Sequence, residues 1–204
     1  MLNIKYKGKY KDEKQLKEGS TLYKKATMFE EESTVTEAFK KGALLSLPGF
    51  VIMLSLAIIM IRVNHIKFEY DILHLAISSI LLLPLLYVHE IIHALTFPKE
   101  AKKDIYSKPQ EMALFVYSNA KVSKKRFIII CLMPAIILGI LPYTIGIVFI
   151  KVIPAKFLTD ILYISISMFM SGIGDFTNAY NTIKQVPKGA KVFNYGYHSY
   201  WIKN

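Results

Sequence analysis

LLYVHEIIHALTF, residues 85–97, sets two histidines and a glutamate inside an otherwise apolar run. Each such side chain costs free energy in an apolar setting unless it is paired, hydrogen-bonded or bound to something. The order His89-Glu90-Ile91-Ile92-His93 is the HExxH pattern. On a helix, positions i and i+4 share a face about 5–6 Å apart. Both imidazoles can then reach one metal ion at ~2.0–2.1 Å. Glu90 falls beside that face, where it is not a ligand but a base placed to take a proton from water. Pro98 predicts the end of this helix near Phe97. The bland alternative is a histidine pair satisfied by carbonyls or by each other. Ionisable residues inside a membrane span are rare and more often functional, which favours the metal reading here.

The setting is apolar throughout. The chain has 204 residues, 53% of them hydrophobic, and a mean hydropathy of +0.34. Four stretches reach the roughly 20 residues a spanning helix needs: 42–61, 72–97, 127–150 and 157–183. The expected fold class is therefore an all-α membrane protein of about four transmembrane helices. Small strand elements are expected in the amino tail, second loop and carboxyl tail. The division is a basic amino-terminal segment 1–41, a four-span domain 42–183 and a carboxyl-terminal tail 184–204.

Charge orients these spans. The net charge is +11, and the lysines and arginines fall unevenly: ten before the first span, two, eight and two in the successive loops, and four in the tail. By the positive-inside rule both termini and the second loop are cytoplasmic, in a multi-pass protein of the cell membrane. No signal peptide opens the chain, which agrees with an amino end that stays where it was made. Topology accounts for the lysines, and no stacking platform of interleaved aromatics accompanies them. Nucleic acid is thus excluded as a partner. The partners expected are the lipid bilayer and a peptide or membrane-protein substrate, with the oligomeric state open. The single Cys131 excludes an internal disulfide and reads as a small buried hydrophobe.

The flanks carry local signals. NIKYKGKY, residues 3–10, and MALFVYSNAKV, residues 112–122, have strand composition, the latter broken by a Ser-Asn turn. Thr34 with Glu37 predicts a capping box, and Ser123 predicts a cap on the third span. The aromatic tail GAKVFNYGYHSYW suits the headgroup level.

A catalytic zinc needs a third protein ligand and an open position. Thr96 and Lys99 exclude the extended HExxHxxGxxH form. Glu100, Asp104, Glu111, Asp160, Asp175 and His198 remain as candidates. Depth separates them. His89 lies eight residues before Phe97, and Asp175 eight before Ile183, each ~12 Å from the cytoplasmic ends of their spans. Asp160 falls near the outer face, Glu100, Asp104 and Glu111 in a polar loop, and His198 in the tail. Gly172 and Gly174 beside Asp175 predict close approach by another helix. Asn178, three residues on, shares the face of Asp175. It is placed to orient that carboxylate, to donate to a developing oxyanion, or to bond a neighbouring helix. Pro134 falls at a comparable depth in the third span and frees a carbonyl from the helix ladder.

HEIIH, Pro134 in CLMPAIILGI and Asp175 in SGIGDFTN together resemble the zincin peptidase family of small multi-span membrane proteins. That family is similar to the site-2 protease class of intramembrane metalloproteases. The resemblance covers most of the chain. It implies a Zn2+ held by His89, His93 and Asp175, with Glu90 as the catalytic general base. It also suggests that the second-loop strand pairs with an extended substrate. The order Gly174-Asp175-Phe176 departs from the site-2 proteases, which present Asp followed by Gly.

The expected function is a membrane-embedded zinc metalloprotease acting on membrane or membrane-proximal substrates. The alternative is a non-catalytic metal-binding membrane protein, such as a small transporter or immunity-type factor. That alternative leaves Glu90 dispensable.

Overall fold

The computed structural model describes residues 3–67, 72–109 and 113–203. Glu111 and Met112, a ligand candidate and the start of the second-loop strand reading, lie outside the described residues.

Helices dominate. α1 (Lys14–Lys17) is a single turn, whereas α2 (Val35–Val63) begins where the sequence predicts. The Thr34 hydroxyl accepts the Glu37 amide at 3.2 Å. The Glu37 carboxylate accepts the Ser33 hydroxyl at 2.6 Å, and among the described residues it does not also bond the Thr34 amide to close the box. α3 (Ile72–Thr96) stops before Pro98. α4 (Lys124–Pro134) is capped by Ser123, whose hydroxyl accepts the Arg126 amide at 3.2 Å. A π-helical segment, Ala135–Ile140, then joins α4 to α5 (Leu141–Val148).

The expected fourth span is not one helix. α6 (Ala155–Ser171) and α7 (Ile173–Gln185) meet at a 47° bend. Gly172 sits at the junction with φ −78° and ψ 18°, outside the helical basin. Its amide reaches back only three residues, to the Phe169 carbonyl at 3.3 Å, which closes α6 and frees the chain to turn. Thr36–Val63, Ile72–Thr96 and Lys124–Val148 are each long and apolar enough to cross a membrane, and the bent pair is a fourth candidate. Their outer faces expose large apolar side chains, among them Ile52, Ile58, Ile80 and Leu141.

Close helix approach occurs at other glycines than expected. A Cβ on Gly174 would meet nothing within 4 Å, and one on Gly172 only ordinary contacts. Among the described residues, the tight helix approaches are Gly42 of α2 against Ile173 and Thr177 of α7, and Gly49 of α2 and Gly139 of the π-helical segment against Phe169 of α6.

The strands fall in the three segments where they were expected, and they pair into two sheets that tie those segments together. One is ordered β1 (Ile4–Lys9), β3 (Lys103–Lys108), β4 (Ala113–Tyr117), with β1 parallel to β3 and β4 antiparallel at the edge. The other is ordered β2 (Thr27–Met28), β7 (His198–Ile202), β6 (Lys191–Tyr195), β5 (Val122–Ser123). The aromatic tail is thus a hairpin, turning at Gly196 with φ +62°, a left-handed conformation that glycine adopts without strain. An apolar cluster of Phe29, Phe97, Phe127, Cys131, Val186 and Val192 fastens this sheet to α3, α4 and α7. Those are the helices that carry the polar groups described next.

Candidate metal centre

Helix periodicity does the first half of the assembly. His89 and His93 share one face of α3, their rings edge to face with centroids 4.8 Å apart, and both are buried. The bend does the second half. By ending α6 at Gly172 it starts a new helix whose first turn contains Asp175. The positive end of α7 there favours a carboxylate. The result is a compact triangle. His89 Nε2 lies 3.1 Å from Asp175 Oδ2, and His93 Nε2 lies 3.3 Å from Asp175 Oδ1. The two Nε2 atoms are 3.1 Å apart. One ligand atom from each of the three residues lies within 4.8 Å of the others.

The opposite ring nitrogens are also engaged. The Nδ1–H of His93 donates to the Ile130 carbonyl of α4 at 2.8 Å. The Ser171 hydroxyl donates to the Met168 carbonyl at 2.8 Å, which leaves its oxygen to accept from His89 Nδ1 at 3.4 Å. With Nδ1 carrying the proton in both neutral rings, two Nε2 lone pairs and a carboxylate converge with no donor among them. Such a set calls for a cation, and two imidazoles with a carboxylate suit zinc. His89, His93 and Asp175 are the residues that would hold it.

Glu90 points elsewhere. Its Oε2 accepts the Val116 amide of edge strand β4 at 3.2 Å. This holds the glutamate beside the triad on a fixed strand. Asn178 is exposed on α7 and, among the described residues, its side chain bonds no member of the triad.

The other candidates lie apart. Asp160 accepts from Ser78 at 2.8 Å and is 2.9 Å from His74 Nδ1. His198 pairs with Glu31 at 2.7 Å, and Glu100 is exposed. Asp104 is buried rather than solvated, paired with Lys102 at 3.0 Å. Ser171, the Ile130 carbonyl and the Val116 amide were not singled out from sequence. Backbone groups carry no residue signature, and a serine on an apolar helix is common.

The sequence pattern of the family described as "Putative zincin peptidase" matches residues 82–191, just over half of the chain and all three members of the triad. No curated protein and no solved structure matches. HExxH on one helix, a carboxylate completing it from another and this family match agree, and the chain belongs to the family described as "Putative zincin peptidase".

Proposed function

We propose that the protein is a membrane-embedded zinc metallopeptidase, similar to the site-2 proteases, that cleaves membrane or membrane-proximal polypeptides near the cytoplasmic face. The observation that carries this reading is the convergence of His89, His93 and Asp175 with Glu90 alongside. The exposed apolar helices and the basic loops support insertion with both termini cytoplasmic.

When bound, zinc supplies Lewis acidity that activates water and polarises the scissile carbonyl. Glu90 takes the proton from the attacking water and delivers it to the departing amine. The Val116 amide anchors that carboxylate beside the triad.

Strand β4 suits an extended substrate. Val116 is opposite Ile105 of β3, yet its amide turns outward to Glu90. In an antiparallel ladder the outward groups alternate, so Leu114 also presents its amide and carbonyl to the open edge. A peptide added there runs past Glu90.

The test is elemental analysis and peptide cleavage on detergent-purified protein. One zinc per chain, lost in His89→Ala and Asp175→Ala and kept in an inactive Glu90→Gln, is expected. Full activity of Glu90→Gln with zinc retained would leave only the metal-binding alternative. Absence of zinc from folded wild-type protein would refute the reading.

A further inference from the structure

Pro134 has no place in the triad, yet it stands four residues after Ile130, whose carbonyl receives the His93 Nδ1–H. The two facts are connected by helix geometry. In a regular helix the carbonyl of residue 130 would accept the amide of residue 134. Proline has no amide hydrogen, and its ring crowds the carbonyl four residues back. The next amide does not substitute, because Ala135 bonds the Leu132 carbonyl instead. The Ile130 carbonyl is therefore left open within a buried stretch of α4 where no regular backbone partner exists. His93 fills it at 2.8 Å.

We infer that Pro134 is a positioning residue for the metal centre: it frees the Ile130 carbonyl to hold the His93 imidazole by Nδ1, with Nε2 turned towards His89 and Asp175. A ligating histidine is oriented by the hydrogen bond its other nitrogen makes. His93 lies on α3 and Ile130 on α4, so the bond also locks these helices in one rotational setting. Ser171 plays the matching part for His89 from the end of α6, at the longer distance of 3.4 Å. Each imidazole is thus held from a helix other than its own.

The inference rests on the metallopeptidase reading for what Nε2 does, but the hydrogen bond can be tested without metal. Three full-length proteins decide it: wild type, Pro134→Ala, and a protein carrying at position 134 the α-hydroxy acid counterpart of alanine. Alanine restores the competing amide. The hydroxy acid forms an ester, which lacks both that hydrogen and the proline ring. The first readout, on metal-free protein, is the His93 Nδ1–H proton by NMR. It should exchange slowly in wild type and the ester protein and rapidly in Pro134→Ala. The second is zinc affinity by chelator competition. Pro134→Ala should bind about 10–100-fold more weakly, the range for loss of an outer partner of a metal-ligating histidine, with the ester protein near wild type.

Unchanged exchange in Pro134→Ala would overturn the inference, as would an ester protein that behaves like Pro134→Ala. A purely structural proline would alter melting temperature and leave both readouts in place. Should wild type bind no zinc, the metallopeptidase reading fails, and the NMR comparison still decides the role of Pro134.

Discussion

Glu90 and Val116 are joined across two elements: the strand amide donates to the glutamate carboxylate at 3.2 Å. In the proposed mechanism, the residue that moves a proton is thus held by the strand that receives a substrate. Removing the carboxylate's basicity while keeping its shape isolates the chemical role. Glu90→Gln is expected to retain zinc and lose activity by about 10²–10⁴-fold, the usual contribution of a general base. Cleavage of a labelled peptide, with metal content measured on the same sample, checks it.

The open edge of β4 makes a separate prediction. Leu114 stands opposite Ser107, in the same alternation class as Val116, so its amide faces away from β3. Leu114→Pro removes that donor while sparing the ladder to β3. An extended substrate should then bind more weakly, raising KM several-fold with little change in melting temperature. Steady-state kinetics and a melting curve report both. An unaltered KM would mean that substrate does not add to this edge.

Metal should stabilise the fold. A cation held by α3 and α7 binds the native arrangement and not the unfolded chain. At free zinc about 100-fold above its dissociation constant this amounts to about 2.7 kcal/mol. Chelation is expected to lower the melting temperature of wild type and to leave His89→Ala or Asp175→Ala unmoved.

Gly42 sits where α2 presses on the start of α7. A Cβ there would collide with the Ile173 carbonyl and lie 2.6 Å from the Ile173 Cγ2. A backbone carbonyl cannot step aside without shifting the helix, so Gly42→Ala should cost about 1–3 kcal/mol. Asp175 is two residues further on, and zinc affinity should fall with stability. Gly174→Ala is the control, since its Cβ would meet open space.

Glu32 ties the amino segment to α7. Lys41 donates both to its carboxylate and to Asn181 Oδ1, the latter at 2.7 Å. Burial pushes the Glu32 carboxyl up, but hydrogen bonds from Lys41, the backbone and Asn181, with the charge of Lys41, together outweigh it and hold the group below the ordinary 4.5. A carboxylate depressed on folding stabilises the protein above 4.5 and loses that contribution as pH falls through its lower folded value. Glu32→Gln should cost about 1–3 kcal/mol at neutral pH, in the range for hydrogen bonds to charged groups. The difference from wild type should vanish in acid, as paired melting curves would show.

Much of the helical layout was legible from residues alone. The apolar runs, Thr34, Ser123 and Pro98 marked helix positions and ends, because capping and proline geometry act within a few residues. The strands were legible as segments but not as two sheets. β1 pairs with β3 across about a hundred residues, and no local pattern chooses that partner. The bend at Gly172 also escaped prediction: composition reads 157–183 as one apolar run, and only the backbone shows where it turns.

The candidate site divides in the same way. Sequence by itself determined that His89 and His93 share a helical face with Glu90 beside it, since four residues of α-helix impose that arrangement whatever surrounds it. It also narrowed the candidates for a third ligand to a residue of matching depth. Tertiary structure alone brought Asp175 to 3.1 Å from His89, set His93 against the Ile130 carbonyl and set Val116 against Glu90. These are contacts between groups 26 to 86 residues apart. Their geometry depends on how the bent α6–α7 pair, a proline-interrupted α4 and an edge strand pack around α3, and packing is a property of the whole chain.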